Sequence, residues 1–135
     1  MKENLGQSNA RNYAIKQAKG KYIAIHDSDD LSFPKRIEIE VQYLESHPDI
    51  DIVSSSFRIV YEDGLTHNLK FPLLLDKLVR FMVLFKNPIA HSSVMVRMNE
   101  EMRSRYVYDP RAIYFADKDL FLRLLYPKEH SVRPI

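Results

Sequence analysis

Three aspartates, Asp27, Asp29 and Asp30, fall within four positions of the stretch IAIHDSDDLSFP, residues 23–34. Like charges that close repel, and no lysine or arginine stands within the stretch to offset them. Carboxylates gathered in this way make chemical sense around a divalent cation, and hard oxygen ligands suit Mg²⁺ or Mn²⁺. Mg²⁺ takes one or two protein carboxylates and completes its shell with water and substrate phosphates, which is a means of holding a nucleotide diphosphate. The plainer alternative is a solvated loop whose aspartates serve turns and helix caps. A calcium-binding loop of the EF-hand kind is excluded. Asp27, Asp29 and Glu38 fall at its first, third and twelfth positions, but Leu31 and Ser32 stand where an oxygen ligand and a glycine are required.

The elements around the loop have readable patterns. In KYIAIH, residues 21–26, Ile23 and Ile25 point one way and Tyr22 and Ala24 the other. Neither face is polar, which predicts a strand covered on both sides, as in a parallel α/β sheet. The acidic loop follows at its carboxyl end, where open α/β sheets bind ligands. Upstream, Ser8 is expected to cap a helix to about Lys19, with Ala10, Ala14, Ile15 and Ala18 inward and Gly20 as its stop. Downstream, Pro34 suits the first turn of a helix to about His47 that carries Ile37, Val41 and Leu44 at helical spacing.

Residues 51–61, DIVSSSFRIVY, read as one strand, with EDG at 62–64 as its turn. Leu73 to Phe85 reads as an amphipathic helix, HSSVMVR (91–97) as a strand and YVYDP (106–110) as a loop. Asp117 to Tyr126 forms a last helix with Leu120, Phe121, Leu124 and Leu125 inward. Alternating helices and strands predict an α/β layered fold with a mainly parallel central sheet. The chain opens on a loop and a helix rather than a strand, and the expectation is therefore that its natural beginning is missing.

Composition narrows the class. A chain of 135 residues suits one domain, taken as 1–135. The net charge is +2 with both signs spread along the chain, which argues against a nucleic-acid partner. With no cysteine, disulfides and thiolate metal sites are excluded, and a cytoplasmic setting is expected. The opening MKENLGQSNARN is polar and does not read as a secretory signal. The longest apolar segment, Leu73 to Phe85, is interrupted by Asp76, Lys77 and Arg80 and falls short of the ~20 residues that span a bilayer. Its broad apolar face serves core packing by default. The alternative is a lipid-facing or subunit-facing surface, so that residues 73–85 would make a peripheral membrane contact at the inner face or a contact within a homo-oligomer.

Several blocks together carry a resemblance. G-x-S-x-A-R-N (Gly6 to Asn12), A-x-G-K-Y-I-A (Ala18 to Ala24), D-S-D-D and P-x-R (Pro34, Arg36) are followed by NPIAHSSVMVR (87–97) and FADKDLFLRLL (115–125). In this order they resemble the inverting family 2 glycosyltransferases of GT-A fold. The resemblance implies a metal-dependent, inverting transfer of a sugar from a nucleotide-diphosphate sugar to a hydroxyl on a glycan, lipid-linked or protein acceptor.

It further implies that Asp27, Asp29 and Asp30 bind the donor, with Asp29 and Asp30 on the Mg²⁺ or Mn²⁺, and that Arg11 lies near the diphosphate. Asp117 matches the family's general base, a carboxylate opposite the leaving group. As the first residue of its expected helix, its plainer role is an N-cap. The family's glutamate before the base is Ala116 here. His91 falls on the acceptor side, with a structural hydrogen-bonding role as the alternative. Arg97 and Arg123 could pair with carboxylates or phosphate. Asp119 is expected to face away from Asp117.

The family's opening strands, which bind the nucleoside, have no counterpart here, and the chain by itself is expected to transfer sugar poorly or not at all. Two other classes stay in view. One is a non-catalytic module of the same fold that binds a partner or itself. The other is a phosphotransfer domain with Asp27 as nucleophile, for which no ordered lysine and Ser/Thr partners are evident.

Overall fold

The computed structural model describes residues 6–69, 76–126 and 132–134. The elements are α1 (Gln7–Gln17), β1 (Tyr22–Ala24), α2 (Arg36–Ser46), β2 (Ile52–Ser54), β3 (Phe57–Val60), β4 (Thr66–Leu69), α3 (Asp76–Phe85), β5 (Val94–Arg97), α4 (Glu100–Arg105), α5 (Ala116–Leu125) and β6 (Val132–Pro134). Four strands form a sheet in the order β1-β5-β2-β6, and β3 and β4 form a separate hairpin. β5 runs antiparallel to both β1 and β2, and β2 pairs with β6 in parallel. Thus β1, β2 and β6 share a direction, and the parallel pairing expected of the sheet is found at β2–β6. The expected cover of 21–26 on both sides is only partial, with Tyr22 and Ile23 half-buried and Ala24 exposed, and apolar residues carry no information about a neighbour's direction.

Side chains of β5 alternate between two cores. Val94 and Val96 join Ile52, Val79, Val83, Leu120, Phe121 and Leu124 on one face, against α1, α3, α4 and α5. Met95 joins Leu44, Ile50 and Val53 on the other, against α2. The sheet is therefore covered by helices on both sides. Each fully buried Val, Leu or Phe contributes about 1.5–3 kcal/mol of apolar burial. Among the described strands β1 lies at the sheet edge, and its Ala24 and the neighbouring Ala14 of α1, expected inward, are exposed.

Several local expectations change. Gly6, at φ 82°, is the N-cap residue of α1, in place of Ser8. A left-handed backbone there suits glycine. The expected strand 51–61 divides into β2 and β3 around Ser55 and Ser56, and the two pieces belong to different sheets. The hairpin turn falls at residues 61–65 as expected: Gly64 has φ 81° and its N–H donates to the Tyr61 carbonyl at 2.9 Å.

Residues 91–93 form a short 3₁₀ turn, and the strand begins at Val94. α4 was not anticipated from the sequence; the Asn99 side chain caps it by accepting from the Met102 N–H at 2.7 Å. In α2 Leu44 is buried as expected, but Ile37 is 47% exposed and Glu40 takes an inward position. In α3 Val79 and Val83 are buried while Phe81 and Phe85 are exposed. Residues 73–75 of the expected helix lie outside the described residues. Among the described residues, no helix is long and apolar enough to cross a membrane.

Candidate active site

The loop after β1 is tied to α1 by an ion pair. An Arg11 amino group donates to Asp27 Oδ1 at 2.6 Å, and a second one to Gln7 Oε1 at 2.9 Å. The two side chains of the pair are 19% and 35% exposed, so solvent screens the interaction only in part. The guanidinium also sits 5.5 Å from the ring centroid of Tyr108, within cation–π range. Asn12, one residue on, clamps the backbone of that tyrosine. Its Nδ2 donates to the Tyr108 carbonyl and its Oδ1 accepts from the Tyr108 N–H, each at 2.8 Å. Consecutive residues of one helix thus place Asp27 and Tyr108 together.

His91 enters from the 3₁₀ turn before β5. Its Nε2 lies 2.7 Å from the Tyr108 hydroxyl, which lies 3.4 Å from that of Tyr106. Burial and then the Arg11 charge hold the imidazole below its ordinary range, while Asp27 and Asp117 act in the opposite direction. Burial pushes both phenols up. A neutral imidazole therefore faces a protonated phenol. Arg11, Asp27 and Asp117 all act on His91 and on Tyr108, which puts residues from five separate segments in one electrostatic neighbourhood.

Asp117 occupies the first turn of α5. The cap position belongs to Phe115, which adopts a left-handed backbone (φ 62°, ψ 31°) and makes no side-chain cap bond. The plain N-cap role is thereby removed from Asp117. Its Oδ2 accepts from Asn87 Nδ2 at 2.7 Å, and Asn87 Oδ1 accepts from the Ile89 N–H at 3.1 Å. Among the described residues, Asp117 Oδ1 has no hydrogen-bond partner. A carboxylate held by one oxygen and open at the other can receive a proton at a fixed position.

Asp29 and Asp30 are exposed, and their side chains have no partner among the described residues. Asp27, by contrast, is paired with Arg11. The three acids do not form a common cage: among the described residues, no group of three or more His, Cys, Asp or Glu side chains is placed to hold a metal. Two unpaired carboxylates do fit a hard cation that brings most of its shell with it as phosphate and water.

A family model described as Glycosyl transferase family 2 matches residues 1–105. The chain belongs to glycosyl transferase family 2. It is 32% identical over 123 residues to the O-antigen biosynthesis glycosyltransferase WbnJ of Escherichia coli, covering 90% of this chain and 46% of that protein. It is 28% identical over 125 residues to the amylovoran biosynthesis glycosyltransferase AmsE of Erwinia amylovora, covering 93% and 46%. An uncharacterized glycosyltransferase of Methanocaldococcus jannaschii is 32% identical over 123 residues, covering 90% and 42%. The chain spans less than half the length of these relatives. Family 2 membership assigns the GT-A fold, and the helix-covered sheet is in keeping with it.

The family 2 blocks meet in space as far as Arg11, Asp27, His91 and Asp117 are concerned. Arg97 and Arg123 do not join them. Arg97 donates to the carbonyls of Leu44, His47 and Ile50 and to the Tyr22 hydroxyl. Arg123 pairs with Asp119 at 2.8 Å, so both face away from Asp117. Sequence reading missed Asn12, Asn87, Tyr106 and Tyr108. Asn12 and Asn87 stand inside the quoted family blocks, but an asparagine after a helical start or before a proline reads first as a turn residue.

Proposed function

We propose that this family 2 chain carries the catalytic half of a sugar transfer from a nucleotide-diphosphate sugar to a glycan hydroxyl, with inversion. The observation that carries this reading is the half-held carboxylate of Asp117 beside the Arg11–Asp27 pair and the His91–Tyr108 bond. The acceptor oxygen bonds to the anomeric carbon as its proton passes to Asp117 Oδ1. The bond from that carbon to the diphosphate oxygen breaks, and the nucleoside diphosphate leaves with the electron pair.

Asn87 fixes the orientation of the base, and Arg11 offers its charge on the donor side through the Asp27 loop. Asp29 and Asp30 would hold Mg²⁺ or Mn²⁺, which when bound offsets charge gathering on the departing diphosphate. WbnJ and AmsE are named for O-antigen and amylovoran biosynthesis, and a bacterial-type polysaccharide is the acceptor class we favour.

Titrating Mn²⁺ with uridine diphosphate against the wild type and an Asp29→Ala, Asp30→Ala variant tests the reading. The expected result is a rise in melting temperature that follows ligand over Kd in the wild type and is absent in the variant. Equal, null responses from both proteins would favour a non-catalytic module of the same fold.

A further inference from the structure

A cleft of about 840 Å³ opens between the loop after β1 and the β3–β4 hairpin. Phe33, Ile39 and Val60 form an exposed apolar rim, and the buried Glu40 and Ser93 lie at its base. The Arg58 guanidinium stands 5.6 Å from the Phe33 ring centroid and joins the two walls.

Glu40 is the unusual member. Its side chain is fully buried, with Oε1 accepting from Arg36 Nε at 3.0 Å and from Ser55 Oγ at 2.9 Å. Oε2 is buried and has no partner among the described residues. Burying such an oxygen unsatisfied is costly, so a donor is missing at this point.

The cleft's charges balance in number: Asp29, Asp30 and Glu40 are matched by Lys35, Arg36 and Arg58, with Glu40 paired to Arg36. Balanced charge suits a neutral ligand. The Ser55 hydroxyl, which gives its proton to Glu40 Oε1, and the orphan carboxylate oxygen are both acceptors and call for a ligand rich in hydroxyl donors. The ring of Phe33 calls for one that also has an apolar face. A free lipid chain offers no donor, and a bare diphosphate would meet two carboxylates at the rim.

We propose that this cleft binds a neutral pyranoside. Phe33 lies under the sugar ring, and a sugar hydroxyl donates to Glu40 Oε2, directly or through one water. Asp29 and Asp30 belong both to this cleft and to the donor side, so the pyranoside is a unit of the acceptor glycan. That last step rests on the sugar-transfer reading above; the pyranoside site does not.

The test is saturation-transfer NMR of the whole chain with the methyl glycosides of glucose, galactose, rhamnose and N-acetylglucosamine. At least one glycoside should receive saturation from the wild type. Phe33→Ala, a change at an exposed position, should weaken that binding about tenfold. Glu40→Gln should weaken it as well, and Glu45→Ala, at a surface pair outside the cleft, should retain it. Silence from all four glycosides would overturn the proposal, as would binding unchanged by both Phe33→Ala and Glu40→Gln. A glycoside signal without any response to Mn²⁺ and uridine diphosphate would support the pyranoside site and remove its acceptor role. The opposite pattern would leave the transfer reading standing and reject the site.

Discussion

Replacing Glu40 by alanine removes half of an ion pair held inside the protein. The Glu40 side chain is fully buried and that of Arg36 is 9% exposed, at 3.0 Å from each other. Removing one partner of a buried pair costs about 3–5 kcal/mol, because the other charge is left uncompensated. Arg36 keeps a bond to the Ile25 carbonyl at 2.9 Å, which places the cost near the lower end, about 3 kcal/mol. For a chain of this size each kcal/mol moves Tm by about 3–4 °C, so a fall of about 10 °C is expected. Thermal unfolding followed by circular dichroism measures it, with Glu45→Ala as control. Glu45 pairs with Lys21 on the surface, and its loss should leave Tm unchanged. The double variant Arg36→Met, Glu40→Leu should recover most of the loss, since a packed apolar pair removes both charges together. A drop below about 3 °C for Glu40→Ala would refute the reasoning, because it would mean that solvent already reaches the pair.

In a turnover assay of a full-length relative with nucleotide-sugar donor and glycan acceptor, asparagine in place of the aspartate that matches Asp117 should lower kcat by about 10²–10⁴-fold and leave nucleotide affinity nearly intact; loss of both together would assign Asp117 a structural role. His91 has a folded-state pKa depressed below 6.5, chiefly by burial, so its contribution to stability is present above pH 6.5 and is lost as pH falls through the depressed value. Urea midpoints taken from pH 7 to 5 should therefore fall more steeply for the wild type than for His91→Gln. Phe115 is 75% exposed and holds φ 62°, so Phe115→Gly should relieve left-handed strain and raise stability by about 1 kcal/mol, read as a higher Tm. An unchanged or lower Tm would assign the ring a packing role that its exposure does not suggest.

What was legible in the sequence is local. The apolar run of β1 and the acids after it, the turn at Gly64 and the inward stripe of α5 are each set by neighbours a few residues apart, and the structure has all of them. The division of 51–61 was not legible, because β2 and β3 have the same strand-forming composition and differ only in their partners. Nor was the inward turn of Glu40: a glutamate on an amphipathic helix reads as solvent-facing until Arg36, Ser55 and the Ile25 carbonyl are brought beside it. The candidate site splits in the same way. Acid clustering pointed to Asp27, and the resemblance to family 2 pointed to Asp117. Their holders, Arg11 and Asn87, lie 16 and 30 residues away along the chain, and no periodicity links such pairs.

The alternation along β5 has a consequence for how the molecule comes apart. Met95 belongs to one hydrophobic cluster and its neighbours Val94 and Val96 to the other, so one strand is the seam through which both layers are stitched. Sliding it by a single residue would exchange its contents on both sides at once, and neither layer can loosen independently while the seam holds. The amide protons of this strand should then be among the last to exchange with deuterium, and their opening should coincide with loss of the whole sheet.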